Sequence, residues 1–300
     1  MSDFQPKLAL GPVLYYWSKE TVFEFYEQVV ETPVDIIYLG ETICSKRKLL
    51  RTADWLELAQ RLAGAGKEVV LSTLTLLEAE SELKTLRHLC DNGQFMVEAN
   101  DMAAVHQLEG TAFVTGPSVN VYNTRTLTRL ADLGLHRWVL PVELSRETLA
   151  DLHNNRPAGV ETEVFVYGRL PLAYSARCFT ARAHNLPKDD CQYRCLDYPD
   201  GLTLSSQEDQ AFLTLNGIQT QSAQTYNLLP ALAEIKAMGV HVLRISPQSR
   251  HTNKVIDIFH RGLQESESVS EGMARLERLM PMGACDGYWY GKAGIARSAG

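Results

Sequence analysis

Eight short apolar runs, most of them separated by amphipathic helical stretches, constrain this 300-residue chain more than any other feature. The runs are Leu8–Leu14, Asp35–Leu39, Glu68–Ser72, Phe95–Glu98, Ala112–Thr115, Trp138–Leu140, Glu163–Tyr167 and Val240–Ile245. Helical periodicity fills intervals at Ser18–Val30, Asp54–Ala63, Leu76–Cys90, Thr124–Leu133, Arg146–His153, Leu228–Met238 and Asn253–Leu263. Ser18-Lys-Glu-Thr opens the first helix, and Gly64 and Gly134 close two others, as start and stop signals do. Near-continuous apolar strands are buried on both faces, which a parallel sheet covered by helical crossovers requires. The expected fold is α/β, a (β/α)8 TIM-barrel-like parallel sheet, with its chemistry at the C-terminal ends of the strands. A doubly wound open sheet would produce a similar string.

One interval breaks the rhythm. Arg169–Gly201 shows no clear element but is rich in Cys, Arg, Asp, Pro and Tyr. Loops of this length inside a compact domain are functional or disordered, and the cysteines favour function. The interval reads as a cysteine-rich loop insertion after strand seven. Ala211–Leu215 reads as a further short strand, part of a hairpin inserted before the last βα unit. The tail after Gln264 opens with the acidic, Ser-rich Glu265-Ser-Glu-Ser-Val-Ser-Glu271 and reads as a solvated connection. No linker divides the chain. A single domain over residues 1–300 is expected, with the Cys-rich loop at about 169–201 and a C-terminal extension from about 264.

Composition decides how the cysteines are read. Asp and Glu number 36 against 29 Lys and Arg, a net charge of −7, which gives no long-range pull toward nucleic acid or anionic membranes. No apolar stretch approaches the roughly 18 residues of a transmembrane helix, and Met1–Lys7 lacks the basic and apolar regions of a secretory signal. A cytoplasmic location is expected, where thiols stay reduced. The six cysteines therefore point to metal binding or redox work rather than disulfides.

Cys178, Cys191 and Cys195 fall within 18 residues, and Cys44 follows strand two in Tyr38-Leu-Gly-Glu-Thr-Ile-Cys44. In a barrel, the loops after strands two and seven open on the same face, which lets Cys44 reach the other three. Four converging thiolates suit Zn²⁺ or an iron–sulfur cluster. Structural zinc sites use two close Cys pairs, whereas here there is one close pair and two remote singles, a spacing that leans toward the larger cluster. The plainer alternative is that the trio are small hydrophobes in a packed loop. Cys90, at a helix end, reads as a half-buried thiol, and Cys285 as a buried thiol or a substitute ligand.

Polar residues at strand ends are the other candidates. Glu41, Glu98, Asn120, Glu143 and Arg146 are expected to face one rim of a barrel. Catalytic candidates are Glu41, Glu143, Arg146 and Arg177, the last flanking the cysteine loop together with Arg182. Glu143 could instead cap the helix begun by Ser145-Arg-Glu-Thr, and the arginines could be solvated loop charges. Tyr15, Tyr16 and Trp17 could line the rim but read better as packing beneath the first helix. The eight histidines form no metal-binding spacing. Gly64-Ala-Gly-Lys67 is no phosphate loop, because Glu68 stands where Ser or Thr would bind Mg²⁺. No Cys–His or Ser–His–Asp arrangement is readable.

Glu163-Val-Phe-Val-Tyr-Gly168-Arg-Leu-Pro171-Leu-Ala-Tyr-Ser-Ala-Arg-Cys178 resembles the signature of the collagenase-like (U-type) peptidase superfamily, Glu-x-Phe-x-x-Gly followed by a small residue, Leu, Cys and, seven residues on, Cys. Thr115-Gly-Pro-Ser-Val-Asn120-Val-Tyr-Asn123 and Val139-Leu-Pro-Val-Glu143-Leu-Ser145 are similar to further stretches of it, and the resemblance runs from Gly11 to about Gln248. Pro171 stands where the first signature Cys belongs, so a replacement ligand is needed, and Cys44 is the candidate. With Gly11–Trp17, Leu71–Leu74, Leu170–Arg182 and Asn216–Thr220, this pattern resembles the branch that works in oxygen-independent ubiquinone biosynthesis. The resemblance implies a 4Fe–4S cluster held by Cys44, Cys178, Cys191 and Cys195. It also implies a heterodimer with a homologue carrying its own cluster, a lipid-binding accessory protein, and hydroxylation of a quinone precursor with prephenate as oxygen donor. The alternatives are a peptidase or collagenase-like hydrolase, and a non-catalytic scaffold stapled by the cluster.

Overall fold

A computed structural model describes residues 4–298; the first three and last two residues of the expected domain lie outside the described residues. The strands are β1 (Lys7–Leu10), β2 (Ile36–Leu39), β3 (Glu68–Ser72), β4 (Met96–Ala99), β5 (Phe113–Thr115), β6 (Leu135–Val139), β7 (Glu161–Tyr174), β8 (Leu202–Ser205), β9 (Ala211–Asn216), β10 (Gln219–Asn227), β11 (Val242–Ile245) and β12 (Ala284–Cys285). The helices are α1 (Lys19–Val30), α2 (Thr52–Gly64), α3 (Glu80–Cys90), α4 (Met102–Gln107), α5 (Thr124–Leu133), α6 (Arg146–Asn154), α7 (Phe179–Ala183), α8 (Leu232–Ala237), α9 (Thr252–Leu263) and α10 (Val269–Glu277). Strands β1 to β7 pair in order, all parallel, and β11 closes the ring by pairing with both β7 and β1. All eight expected strands are present, and the sheet is a closed (β/α)8 barrel rather than an open one.

Alternation along each strand sorts side chains between two environments. Leu8, Leu10, Ile37, Leu39, Val69, Leu71 and Val97 face the helical layer and join the main apolar core. Ala9, Ile36, Tyr38, Val70, Val114, Val139 and Val242 fill the barrel interior. On that same inward parity lie Glu98, Arg137, Glu163 and Arg244, all almost fully buried. They form one network. Arg244 donates Nε to Glu163 Oε1 at 2.5 Å and Nη1 to Glu98 Oε1 at 2.6 Å. The Tyr38 hydroxyl donates to Glu163 Oε2 at 2.5 Å and receives Arg137 Nη1 at 3.2 Å. The Arg244 guanidinium lies over the Tyr38 ring, 3.9 Å from its centroid. Ser72 and Asn100 complete the hydrogen bonding of Glu98. Charges buried this deeply are tolerated because each has a partner; removing one partner of such a pair costs about 3–5 kcal/mol.

Several local expectations are corrected. Strand β7 does not stop near Tyr167 but runs on to Tyr174, because its outer half pairs antiparallel with β10, giving those backbone groups a ladder outside the barrel. The interval read as having no element therefore begins as strand and contains α7. The acidic tail is not merely a solvated connection: Ser268 caps α10 with a Ser–Glu271 capping box, and the helix buries Leu276. Helix α3 begins at Glu80, not Leu76, and the helix expected from Leu228 starts as a short 3-10 turn. The short helix α4, capped by Asp101, was not anticipated. Tyr15, Tyr16 and Trp17 are buried as expected, but they pack against the cysteine-rich insertion as well as the first helix: Trp17 Nε1 donates to Pro199 O at 2.7 Å and stands edge-on to Phe25. Among the described residues no helix is long and apolar enough to cross a membrane.

Two histidines beneath the barrel give the fold an acid-sensitive point. His153 Nδ1 lies 3.0 Å from Thr162 Oγ1, and His241 Nδ1 accepts the Thr162 backbone N–H at 3.1 Å. The two rings are 5.9 Å apart. Burial, then the neighbouring Arg156, lower both, His153 to about 4. An unfolded histidine takes up a proton near 6.5, so the unfolded chain binds protons that the folded one refuses between 6.5 and about 4. Stability from this source is full above that window and falls as pH drops through it. The urea midpoint should therefore decline more steeply between pH 6.5 and 4 for the wild type than for His153→Gln; parallel declines would refute the assignment.

Candidate metal centre

The loop after β2 is built to present Cys44. Gly40 has φ +144° and a Cβ there would lie 2.3 Å from Ser72 O, so only glycine lets the chain turn so close to β3. Glu41 then folds back on its own loop: its Oε1 accepts the backbone N–H groups of Ile43 at 2.9 Å and Cys44 at 3.0 Å. Burial raises the Glu41 carboxyl, while Arg47 and those two amides oppose the shift. Glu41 thus positions Cys44 rather than facing the open rim.

The other three cysteines come from the insertion after β7. Cys178 caps α7, its Sγ accepting the Ala181 N–H at 3.4 Å. That helix is braced by the β9–β10 hairpin, whose turn carries Gly217 with φ +64°. Phe179 N donates to Gly217 O at 2.9 Å, Ser175 N to Ile218 O at 3.0 Å, and Gly217 N to Thr180 Oγ1 at 3.0 Å. Between Cys191 and Cys195, Gln192 and Tyr193 both adopt left-handed conformations, φ +51° and +53°, which non-glycine residues hold only when their surroundings impose it. The exposed Tyr193 ring packs near Tyr16, centroids 5.9 Å apart.

Arg47 draws these pieces together. It is 4% exposed. It donates Nη1 to Leu14 O at 2.8 Å and Nη2 to Asn216 Oδ1 at 2.7 Å, and stands 3.7 Å from Glu41. Its positive charge bears on both Cys44 and Cys195. Ionised Cys178 would bear on Cys44, and ionised Cys178 and Cys44 on Cys195. Cys191 joins through Lys46, whose ammonium senses both Cys44 and Cys191 and is held by Asp189 Oδ1 at 2.7 Å. Burial pushes the Cys195 thiol up to about 11, against the pull of Arg47. Lys188 closes the arrangement, bonding Glu78 beyond β3 and Ala176 O ahead of Cys178.

The loops after β2 and β7 are thus joined through Lys46, Arg47 and the β9–β10 hairpin, with Cys44 on one loop and Cys178, Cys191 and Cys195 on the other. Cys44 and Cys178 also border a small apolar cluster with Leu14, Ile43 and Ile218, so the thiols have an apolar back and a charged front. Among the described residues no group of three or more His, Cys, Asp or Glu is gathered tightly enough to hold a metal ion. Cys90 and Cys285 stand apart. Burial raises both thiols to about 12, and each senses only its neighbouring aspartate.

The remaining candidates scatter. Arg146 does not reach the mouth: it pairs with Glu147 at 2.9 Å and Glu234 at 3.3 Å and stacks on Tyr290 of the C-terminal extension. Glu143 accepts the hydroxyl of Tyr122, which is exposed. Arg177 and Arg182 are exposed, as is Asn120. Glu98 is inside the barrel, bound to Arg244. Arg47 and Lys46 were missed as site residues. Their signal was present in the run of cations Lys46-Arg-Lys48 directly after Cys44, but nothing in a sequence tells a buried guanidinium from a solvated one.

Arg47→Met should lower the unfolding free energy by about 2–4 kcal/mol, because it strands Asn216 Oδ1 without its donor and leaves the largely buried Glu41 without its counter-charge. Chemical denaturation of the metal-free chain reads this directly; an unchanged midpoint would show that Arg47 does not hold the loops together.

A family model for Peptidase family U32 matches residues 22–298. Among solved structures, the chain is similar to the U32 peptidase Mk0906, at 12% identity and a TM-score of 0.46, covering 83% of this chain and 95% of that one. It is also similar to type I 3-dehydroquinate dehydratase from Clostridium difficile, at 9% identity and a TM-score of 0.45, covering 89% and 96%. A third similarity is to N-acetylneuraminate lyase from Mycoplasma synoviae, at 14% identity and a TM-score of 0.44, covering 92% and 79%. With nearly its whole length matched by the family model, the chain belongs to peptidase family U32.

Proposed function

We propose that this chain is the UbiV-type subunit of oxygen-independent ring hydroxylation in ubiquinone biosynthesis, holding a 4Fe–4S cluster through Cys44, Cys178, Cys191 and Cys195 and acting as a heterodimer with UbiU. The observation that carries the reading is that thiol-bearing loops more than 130 residues apart in sequence are tied together, Lys46 bonding Lys188 O and Asp189 of the insertion and the buried Arg47 bonding Asn216 of the hairpin that braces α7. A zinc ion needs its ligands within about 2.3 Å of a single point. Thiols that interact without closing on one ion suit a donor set spread around a larger inorganic core.

The chain's own residues fit such a group. Thiolate ligands bring negative charge, and Arg47 and Lys46 face it. The Ala181 N–H points at Cys178 Sγ. Amides and cations near the sulfurs favour the more negative, reduced form and raise the potential. When bound, the cluster would supply one-electron transfer; with four thiolate ligands no iron is left open to substrate. Glu41 fixes the Cys44 loop through backbone bonds, and Tyr16 and Tyr193 shield one side of it. The lipid-binding accessory protein, the quinone precursor and prephenate belong to the same reading as pathway partner and ligands.

Anaerobically purified protein should be brown and contain about four iron and four sulfide per chain. Cys191→Ala should lose most of the iron, whereas Cys90→Ala and Cys285→Ala should keep it. Full occupancy in Cys191→Ala would remove that residue from the ligand set. Peptide cleavage by iron-free protein would favour a hydrolase over this reading.

A further inference from the structure

A second polar site lies at the barrel mouth and contains none of the four thiols. It is a cavity at the C-terminal ends of the strands, where barrel chemistry sits. The space a water molecule can occupy there is about 30 Å³, within a recess of about 410 Å³ open toward solvent. Two of its lining atoms, Arg244 Nη2 and Thr42 Oγ1, are buried without a hydrogen-bond partner. Both residues are 3% exposed. The other Arg244 nitrogens are committed to Glu163 and Glu98, so Nη2 keeps both of its N–H groups uncommitted beside the cavity. Leaving such a donor unsatisfied costs about 1–3 kcal/mol, more for a charged group. Nothing in the barrel needs that cost: the Glu98–Arg244–Glu163 bridge is complete without it.

The charge balance selects the occupant. One guanidinium already faces two carboxylates, so a ligand carboxylate would meet a surplus of negative charge at close range in a poorly screened space. A neutral carbonyl or hydroxyl oxygen would accept from Nη2 without that repulsion. Pro12, Leu14, Pro117 and Phe165 give the cavity apolar walls, beside the polar Thr75, Asn100 and Ser246. We infer that the mouth binds a neutral small molecule with an apolar, ring-like body that places one oxygen between Arg244 Nη2 and the Thr42 hydroxyl.

A ring needs more room than one water, and one wall is suited to give it. Pro171 and Tyr174 line the cavity from the outer half of β7. The ladder of that half with β10 is interrupted between Thr220 and Gln221 and again between Gln221 and Thr225, where the side-chain atoms Gln221 Nε2 and Gln224 Oε1 are also unpartnered. Outward movement there would break few ladder hydrogen bonds, because the pairing is already interrupted. The inference is independent of iron in the thiol site. Taken with the pathway reading, on which this one assignment rests, it places the quinone ring rather than prephenate in this pocket.

The test is calorimetric titration of the full chain with 4-methylphenol and, separately, with 4-methylbenzoate, which differ in charge but little in shape. The wild type should bind the phenol at least about tenfold more tightly than the benzoate. Thr42→Val, which keeps the shape and leaves the Arg244 bridge intact, should weaken phenol binding about fivefold. Absence of phenol binding up to its solubility, benzoate binding as tight as phenol, or phenol binding unchanged in a folded Thr42→Val would each overturn the proposal. If Thr42→Val fails to fold, the phenol and benzoate comparison on the wild type decides.

Discussion

The bridge from Arg244 to Glu98 and Glu163 organises this molecule. The neighbouring strands β7 and β11 meet β4 from across the ring in it, and Tyr38 and Arg137 extend it to β2 and β6. A barrel filled with branched apolar residues alone can slide in register at modest cost. A buried guanidinium shared by two carboxylates cannot, because a slip of one residue would turn a charge outward into the apolar helix layer. The interior apolar residues, Ala9, Ile36, Val70, Val114, Val139 and Val242, are small, and that leaves room for the long charged side chains among them.

With the barrel so fixed, the rim is fixed too. Strand β7 carries Glu163 at its inner end and leaves the ring at its outer end, where it pairs with β10. The same strand that anchors the interior bridge therefore aims the insertion that bears Cys178, Cys191 and Cys195. Strand β2, carrying Tyr38 at the bridge, ends at Gly40 and hands the chain directly to Glu41 and Cys44. Both loops leave one face of one ring, and Lys46 bonds across from the first to Lys188 and Asp189 of the second.

Arg47 shows how the rim and the insertion are joined. It bonds the end of β1 through Leu14 O, the β9–β10 hairpin through Asn216, and the Cys44 loop through Glu41. A cation placed among thiols lowers the cost of their ionised forms, while burial raises it. At Cys195 burial outweighs the cation in the metal-free chain. Thiols held largely protonated in this way are poor free nucleophiles, and they become thiolates when a metal takes the proton's place.

Much of this was legible in the sequence. The eight apolar runs specified eight parallel strands, since segments apolar on both faces leave few other arrangements. The break in rhythm after Tyr167, together with the thiol spacing, marked the insertion and three of its cysteines. Helix-cap chemistry was readable at Ser18 and Gly134 but was overlooked at Ser268, where an acidic, polar composition hid a capping box. Closure of the ring, the inward parity of Glu98, Glu163 and Arg244, the burial of Arg47 and the turning away of Arg146 toward Tyr290 were decided only by tertiary structure. The physical reason is that a sequence carries the period of a strand and the identity of its charges, whereas the partner that makes a buried charge affordable comes from a distant strand, and it is found only when the sheet closes.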